Sequence, residues 1–407
     1  MFLKHISLTN FRAFQRLEVD VPERVTVMVG NNAQGKTSFL EAINFFSTLT
    51  SVQAGKDREL INFMALGDEI PVARLVMNFS RGGSEHNMEA RLILGNNGNK
   101  GSRLRKEVLL DGIKRPLQQA LGNFNSVIFL PQMTDIVDGA PDERRRYLDM
   151  AIAQVYPGYA RELSEYNQAI SQRNALLKTL AERGGDSAQL DFWDEHIAEK
   201  GSFIMRTRMQ MLDEFEDRVS EVHLALSEGI SPLAINYLPG FNFRNGEREQ
   251  ETFAFPVGKD SHACLLSQEE LQNTFLKKLQ SVRKDEIQRG MTTLGPHRDE
   301  LRFFANQIDS GTYGSRGQIR TVLMALKIGE MHWLHEKTGE WPVLLLDETL
   351  AELDLQHRNA LLHALSNCEQ AILTATDAGM FNPEFLKTCT IWKIDAGRID
   401  FEQSSFL

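Results

Sequence analysis

Gly30-Asn31-Asn32-Ala33-Gln34-Gly35-Lys36-Thr37 fills every fixed position of the phosphate-loop pattern, a glycine, four free positions, then Gly-Lys-Thr. It follows an apolar run, Val25 to Val29, and precedes Phe39, Leu40 and Ile43, which share one face of a helix. Strand, glycine turn and helix in that order commit this part of the chain to an α/β fold. In such a turn the backbone N–H groups face inward around phosphate oxygens. The helix N-terminus adds partial positive charge there. Lys36 is expected to reach the β- and γ-phosphates of a nucleotide and the Thr37 hydroxyl to ligate Mg²⁺. The nucleotide-binding set is then Gly30, Asn31, Asn32, Ala33, Gln34, Gly35, Lys36 and Thr37, with Ser38 adjoining.

A second segment completes that chemistry. Val343-Leu344-Leu345-Leu346 is continuously apolar after Pro342 and ends in Asp347-Glu348, as expected of a strand buried on both faces and finishing at a polar site. Asp347 is expected to hold Mg²⁺ through its water shell, and Glu348 to orient the attacking water as general base. Gln132 follows another apolar run, Val127 to Leu130, and is expected to touch the metal or its water.

Tyr313-Gly314-Ser315-Arg316-Gly317-Gln318 precedes a helical pattern through Val322, Leu323, Leu326, Ile328 and Met331, shortly before the 343–347 strand. This resembles the signature motif of ABC ATPases. In that class a serine hydroxyl, a glycine and a helix N-terminus meet the ATP held by a second copy, so the resemblance implies a homodimer formed on ATP. Ser315, Arg316, Gly317 and Gln318 are then the trans residues. Asp354, in Ala351-Glu352-Leu353-Asp354, resembles the loop that crosses the dimer seam. Thr374-Ala375-Thr376-Asp377 stands at the switch-histidine position of the class and has no histidine.

Between these segments the pattern changes. Leu163, Tyr166, Ile170, Leu177 and Leu180 repeat at three–four spacing, with Arg173 interrupting one slot. Arg183-Gly184-Gly185-Asp186 breaks the pattern, and Trp193, Ile197, Ile204, Met211, Phe215, Val222 and Leu226 resume it. Two such helices joined by a glycine turn make an antiparallel hairpin. Ser267-x-x-Glu270 is a capping box opening a further helix with Leu271, Phe275, Leu279 and Val282. Residues 229–262, rich in Pro, Gly, Asn and Phe, read as loop with short strands. The expected organisation is an α/β ATPase head of ABC/SMC type with an inserted, mostly helical domain carrying a helical-hairpin arm. Its segments are 1–135, 136–290 and 291–407.

A net charge of −10 excludes a surface that binds nucleic acid everywhere. It leaves room for local basic clusters, and two stand out: Arg103, Arg105 and Lys106, flanked by Lys100, Lys114 and Arg115, and Arg144-Arg145-Arg146. These six, Arg103, Arg105, Lys106, Arg144, Arg145 and Arg146, are the candidate DNA contacts. Three widely spaced cysteines suggest neither a zinc site nor a disulfide framework, which fits a reducing cytoplasm. No apolar run is long enough to span a bilayer and no signal peptide is expected.

Further residues resemble one family, the RecF proteins of bacterial DNA repair. These are Asn10-Phe11-Arg12 at the first strand, Glu143 to Asp149 (Glu-Arg-Arg-Arg-Tyr-Leu-Asp), Gly295-Pro-His-Arg-Asp299, and Ser315-Arg-Gly-Gln-Ile-Arg320. Leu344 to Asp347 and Glu352-Leu353-Asp354 complete the set, and order and spacing match over essentially the whole chain. The resemblance implies a cytoplasmic repair ATPase that dimerises on ATP and binds duplex DNA near single-strand gaps. It implies work with RecR and RecO to load RecA, and weak hydrolysis coupled to dimer opening and DNA release. It also adds Arg12 to the ATP-binding set. Ala33 stands where the family usually has glycine, which is tolerable with a negative φ, and Glu348 where it often has aspartate. The role of Gly295 to Asp299 does not follow from the residues; one reading ties the insertion back to the head, and the other has His297 and Arg298 contact nucleotide or DNA. Other ABC/SMC-like ATPases of DNA maintenance or defence are the alternative. Nucleases of that kind carry a further acidic metal domain, for which the stretch after Asp354 is too short.

Overall fold

A computed structural model describes residues 1–96, 102–227, 229, 231–241, 243, 266–349, 357–358, 361, 365 and 368–402. Asp354, with Ala351 to Leu353, lies outside the described residues. Fifteen strands are placed among the described residues. In chain order they begin β1 (Phe2–Phe11), β2 (Phe14–Asp20), β3 (Arg24–Val29), β4 (Val72–Arg81), β5 (Ser84–Asn96), β6 (Ser102–Leu110), β7 (Ile113–Arg115) and β8 (Ser126–Phe129). They continue as β9 (Leu233–Leu238), β10 (Glu300–Ala305), β11 (Ile308–Asp309), β12 (Val343–Asp347), β13 (Gln370–Ala375), β14 (Thr390–Asp395) and β15 (Arg398–Glu402). The long helices are α1 (Lys36–Thr48), α2 (Pro141–Ala153), α3 (Tyr159–Arg183), α4 (Asp191–Leu226), α5 (Gln268–Arg289) and α6 (Arg316–Thr338).

The chain forms two compact units, one of Met1–Met133 with Lys327–Leu407 and one of Thr134–Leu326. The first holds two sheets. An antiparallel sheet runs β2-β1-β4-β5-β6-β7 and alternates apolar-in, polar-out. The other runs β15-β14-β3-β13-β12-β8, parallel except for β15 at one edge. β12 and β13 are buried at every position, which is why Val343 to Leu346 and Ala371 to Leu373 are apolar; Asp347, Gln370 and Thr374 are the polar exceptions. α1 packs against this sheet, with Phe39 edge-to-face on Trp392 at 5.8 Å between ring centroids. Val29 lies opposite Ala375 and Asp347 opposite Thr374. The loop after β3, the end of β12 and the end of β13 therefore share one carboxyl edge of a parallel sheet, where open α/β sheets bind ligands.

The second unit is built on α3, α4 and α5 with a three-stranded sheet, β11-β10-β9. α3 and α4 are antiparallel in a seven-residue register. Arg208 reaches Tyr159, Gly201 faces Tyr166, and Arg173 pairs with Asp194. Each step is seven residues up one helix and seven down the other, as knobs-into-holes packing requires. Gly184 and Gly185, at φ 68° and 139°, make the turn. The Ser267–Glu270 capping box forms at the start of α5.

Two expectations change here. Arg173 does not interrupt the buried stripe; it is a fully buried member of it, held by Asp194 at 2.7 Å, Glu286 at 2.6 Å and Thr292 at 2.8 Å. A buried guanidinium persists only where its charge is met; Asp194 and Glu286 supply two carboxylates and Thr292 a hydroxyl through Nε and Nη1, while Nη2 is left without a hydrogen-bond partner among the described residues. Residues 291–326, grouped in sequence with the last segment, cluster instead with the helical unit. The reason is strand pairing: β10 bonds along its whole length to β9.

Candidate functional site

The phosphate loop is shaped by what surrounds it. A Cβ on Gly30 would stand 2.4 Å from the Ile394 carbonyl oxygen, so only glycine fits. Gly35, at φ 106°, caps α1. Gln34 braces the loop against the β14–β15 turn: its side-chain oxygen accepts from Ala396 N–H and its carbonyl from Gly397 N–H at 3.2 Å. Ala33 departs from expectation. Its φ is 65°, in the left-handed region, not negative. Closing the loop requires that turn whether or not the residue is glycine, at about 1–2 kcal/mol for a residue with a Cβ. Its methyl, like Asn31 and Asn32, is exposed, and Ser38 is half-buried in the first turn of α1.

The polar groups named from sequence converge. Lys36, 4% exposed, donates to the carbonyls of Gly30 (2.5 Å) and Asn31 (3.3 Å) and pairs with Glu348 Oε1 at 2.9 Å. Thr37 Oγ1 donates to Asp347 Oδ2 at 2.6 Å across 310 residues of sequence. A hydroxyl and a carboxylate in contact are hard oxygen donors suited to Mg²⁺. Among the described residues no three His, Cys, Asp or Glu side chains cluster as a metal site of their own. Such an ion would rely on phosphate oxygens for its remaining ligands. Glu348 has φ 47°, unusual for a residue with a side chain, and its N–H donates to Thr374 Oγ1 at 3.1 Å. Thr374 in turn donates to Asp347 Oδ1 at 2.6 Å. Sequence reading placed Thr374 in the segment at the switch-histidine position and gave it no role of its own. The available signal was a lone hydroxyl inside a fully buried strand.

Arg12 commits all three guanidinium nitrogens within its own unit: two to Glu41 of α1, at 2.7 and 2.9 Å, and one to the Glu59 carbonyl at 3.3 Å. The buried Glu41 also accepts from Ser51. Gln132 is exposed in the turn after β8.

Ser315, Arg316, Gly317 and Gln318 belong to the second unit and are all exposed. Ser315 and Gln318 form a reciprocal capping box at the start of α6: Ser315 N–H donates to Gln318 Oε1 at 2.8 Å, and Gln318 N–H to Ser315 Oγ at 3.3 Å. A Cβ on Gly317 would meet nothing nearer than Ser315 Oγ at 3.9 Å, and Gly317 is not at positive φ. The fold itself does not demand glycine there.

The basic clusters are not the patches their sequences suggest. β6 alternates, so Arg103 and Arg105 project outward, whereas Lys106 turns inward, 5.6 Å from the Phe45 ring centre and paired with Asp57 at 2.6 Å. On α2, Arg144 is buried, donating to Glu300 at 2.8 Å and to the Gly139 carbonyl at 2.7 Å. Arg145 donates to the Asp299 carbonyl at 2.7 Å. Arg146 is half-buried. Consecutive residues on a helix cannot share a face.

Gly295 to Asp299 form a hub within the helical unit. The Asp299 carboxylate accepts from Arg208 and from Gly240 N–H, each at 2.7 Å, and from the Tyr237 hydroxyl. Its burial raises its pKa, opposed chiefly by the charge of Arg208. His297 Nδ1 lies 2.6 Å from the Tyr166 hydroxyl, and burial lowers its pKa to about 4.

Comparison with known proteins covers nearly all of the chain. The RecF/RecN/SMC N-terminal domain family matches residues 2–395. The DNA replication and repair protein RecF of Gloeothece citriformis is 35% identical over 98% of this chain and 99% of its own. That of Herpetosiphon aurantiacus is 34% identical over the same shares. A solved structure of the recombination mediator RecF with ATPrS, of the RecFOR pathway, superimposes with a TM-score of 0.80 at 30% identity over 98% of both chains. A RecF–ATP structure gives 0.79 at 30% identity, over 98% of this chain and 97% of that one.

Proposed function

Because this chain belongs to the RecF family of DNA replication and repair proteins, within the RecF/RecN/SMC group, we propose that it is a Mg²⁺-dependent ATPase whose ATP-bound dimer binds DNA. The observation that carries this is the convergence of Lys36, Thr37, Asp347 and Glu348 at one carboxyl sheet edge, beside a loop shaped for phosphate. When ATP enters, Lys36 exchanges its contact with Glu348 for the β- and γ-phosphates. That frees the Glu348 carboxylate to accept a proton from water. The water oxygen bonds to the γ-phosphorus as the bond to the bridging β–γ oxygen breaks, releasing phosphate and ADP. Thr37 and Asp347 would hold Mg²⁺, which supplies charge neutralisation between the two phosphates.

Ser315 and Gly317 complete the site in trans. They sit at an exposed helix N-terminus, a natural phosphate site. Glycine at 317, which the fold does not require, suits close approach by a phosphate from outside the subunit. Closure of two copies around two ATPs then builds the DNA-binding form, with outward-facing Arg103 and Arg105 as its strongest charge candidates in the first unit. The cellular role we infer is DNA repair in the cytoplasm at single-strand gaps, loading RecA with RecO and RecR.

The composite site is tested with Ser315→Arg. Light scattering with ATP should show a monomer, while a nucleotide titration of the same sample stays near the parental affinity. An ATP-dependent dimer in the variant, or loss of ATP binding by its monomer, would refute the two-copy site.

A further inference from the structure

We infer that Thr374 is the positioning residue of the hydrolytic site, a single hydroxyl that fixes the Asp347 carboxylate and the Glu348 backbone together. The inference rests on the ATPase reading above. It adds a residue outside the phosphate loop, the acidic pair and the signature motif.

A threonine hydroxyl has one proton to give and lone pairs to receive. Here both capacities are assigned without ambiguity. Asp347 can only accept, so the Thr374 proton points at Oδ1, 2.6 Å away. The Glu348 N–H can only donate, so it points at the Thr374 oxygen, 3.1 Å away. Thr374 is buried and opposes Asp347 in the β12–β13 register, which holds its hydroxyl beside both groups. The two carboxylate oxygens of Asp347 are thus divided: Oδ2 takes the Thr37 hydroxyl and Oδ1 takes Thr374. One face of the carboxylate is set by the phosphate-loop helix and the other by β13.

The second half of the clamp concerns Glu348. Its φ of 47° turns the chain at the end of β12 and aims its side chain toward Lys36, at 2.9 Å. Left-handed backbone at a residue with a Cβ persists only where its surroundings over-determine it. The bond from the Glu348 N–H to Thr374 is such a constraint. Without it the turn is free to relax toward negative φ, carrying the carboxylate away from Lys36 and from any water beside the γ-phosphate. Threonine at 374 thereby converts the position of a buried strand into the aim of the general base.

The test uses the full-length protein, with Thr374→Val, which keeps the branched shape and deletes the hydroxyl, beside Thr374→Ser, which keeps it. Misplacing a catalytic group by an ångström costs on the order of 10²-fold. Thr374→Val should therefore lower kcat about that much, with the calorimetric affinity for ATP in the absence of Mg²⁺ within about twofold of the parent, whereas Thr374→Ser recovers most of the lost rate. Amide hydrogen exchange gives a readout independent of turnover: protection at the Glu348 N–H should fall in the valine variant and return in the serine one. Parental kcat in Thr374→Val, or a parallel loss of ATP affinity, overturns the inference. So does unchanged protection of the Glu348 amide. Glu348→Gln separates this from the parent reading. If Glu348→Gln stops hydrolysis and Thr374→Val does not, the ATPase assignment stands and the clamp falls. If the parent shows no hydrolysis, the ATPase assignment falls and the exchange measurement alone decides the clamp.

Discussion

Replacing Ala33 by glycine should stabilise the protein, although it removes a side chain. Ala33 holds φ 65° in the phosphate loop, and its exposed methyl buries nothing. Left-handed backbone costs a residue with a Cβ about 1–2 kcal/mol. Glycine escapes that cost but gives the unfolded chain more freedom, about 0.4–1 kcal/mol in the opposite direction. The net gain for Ala33→Gly is therefore between about 0 and 1.6 kcal/mol, centred near about 0.8 kcal/mol. In a cooperative unit of about 200 residues, that central value raises Tm by about 2–3 °C. Ala33→Val should move the other way, since a β-branched side chain tolerates positive φ least. Thermal unfolding of the three proteins without nucleotide, followed by calorimetry, measures both. A lower Tm for Ala33→Gly would mean that residue 33 has ordinary negative φ and that the loop closes by another route.

Two further outcomes are expected. Reversing Arg103 and Arg105 together to glutamate should weaken duplex binding and flatten its salt dependence, since log K falls with the number of phosphates neutralised; Lys106→Glu should instead lower Tm, because it breaks the Asp57 pair beneath the sheet. Equal binding losses from both changes would put Lys106 back on the binding surface. His297, ordinarily near 6.5 and lowered to about 4 in the fold, gains its proton in the unfolded chain first as pH drops. Its stabilising contribution is full above pH 6.5, down by about 2 kcal/mol at pH 5, and lost on passing 4. Urea midpoints at pH 7.5 and 5 should show this loss, and His297→Gln should show less of it; an equal acid shift in that variant would assign the effect to another group.

What could be read from sequence followed from how many constraints each segment carried. The middle of β3, β12 and β13 was legible because positions buried on both faces of a sheet are mostly apolar. The Lys36–Thr37 loop was legible because phosphate binding fixes residue types at fixed spacing. The α3–α4 hairpin was legible from its stripes, but Arg173 looked like a flaw, since its partners Asp194 and Glu286 lie on other helices. The basic clusters misled for a simpler reason. Adjacency in sequence is not adjacency on a surface, and both a strand and a helix separate neighbouring side chains. Thr374 was hidden because its meaning depends on a register between β12 and β13 that no single segment encodes.

The seven-residue register of α3 against α4 also limits how this part of the protein can change in length over generations. Adding one residue to either helix above the turn advances its far end by about 1.5 Å and rotates it by about 100°. The Tyr159–Arg208, Tyr166–Gly201 and Arg173–Asp194 layers would lose their partners on one side, stranding two buried guanidinium groups. Insertions and deletions that survive should therefore come in matched whole heptads beside Gly184 and Gly185, or within the connection itself. Natural variation in the length of this hairpin should be found at its tip, and the three layers should be inherited as one block.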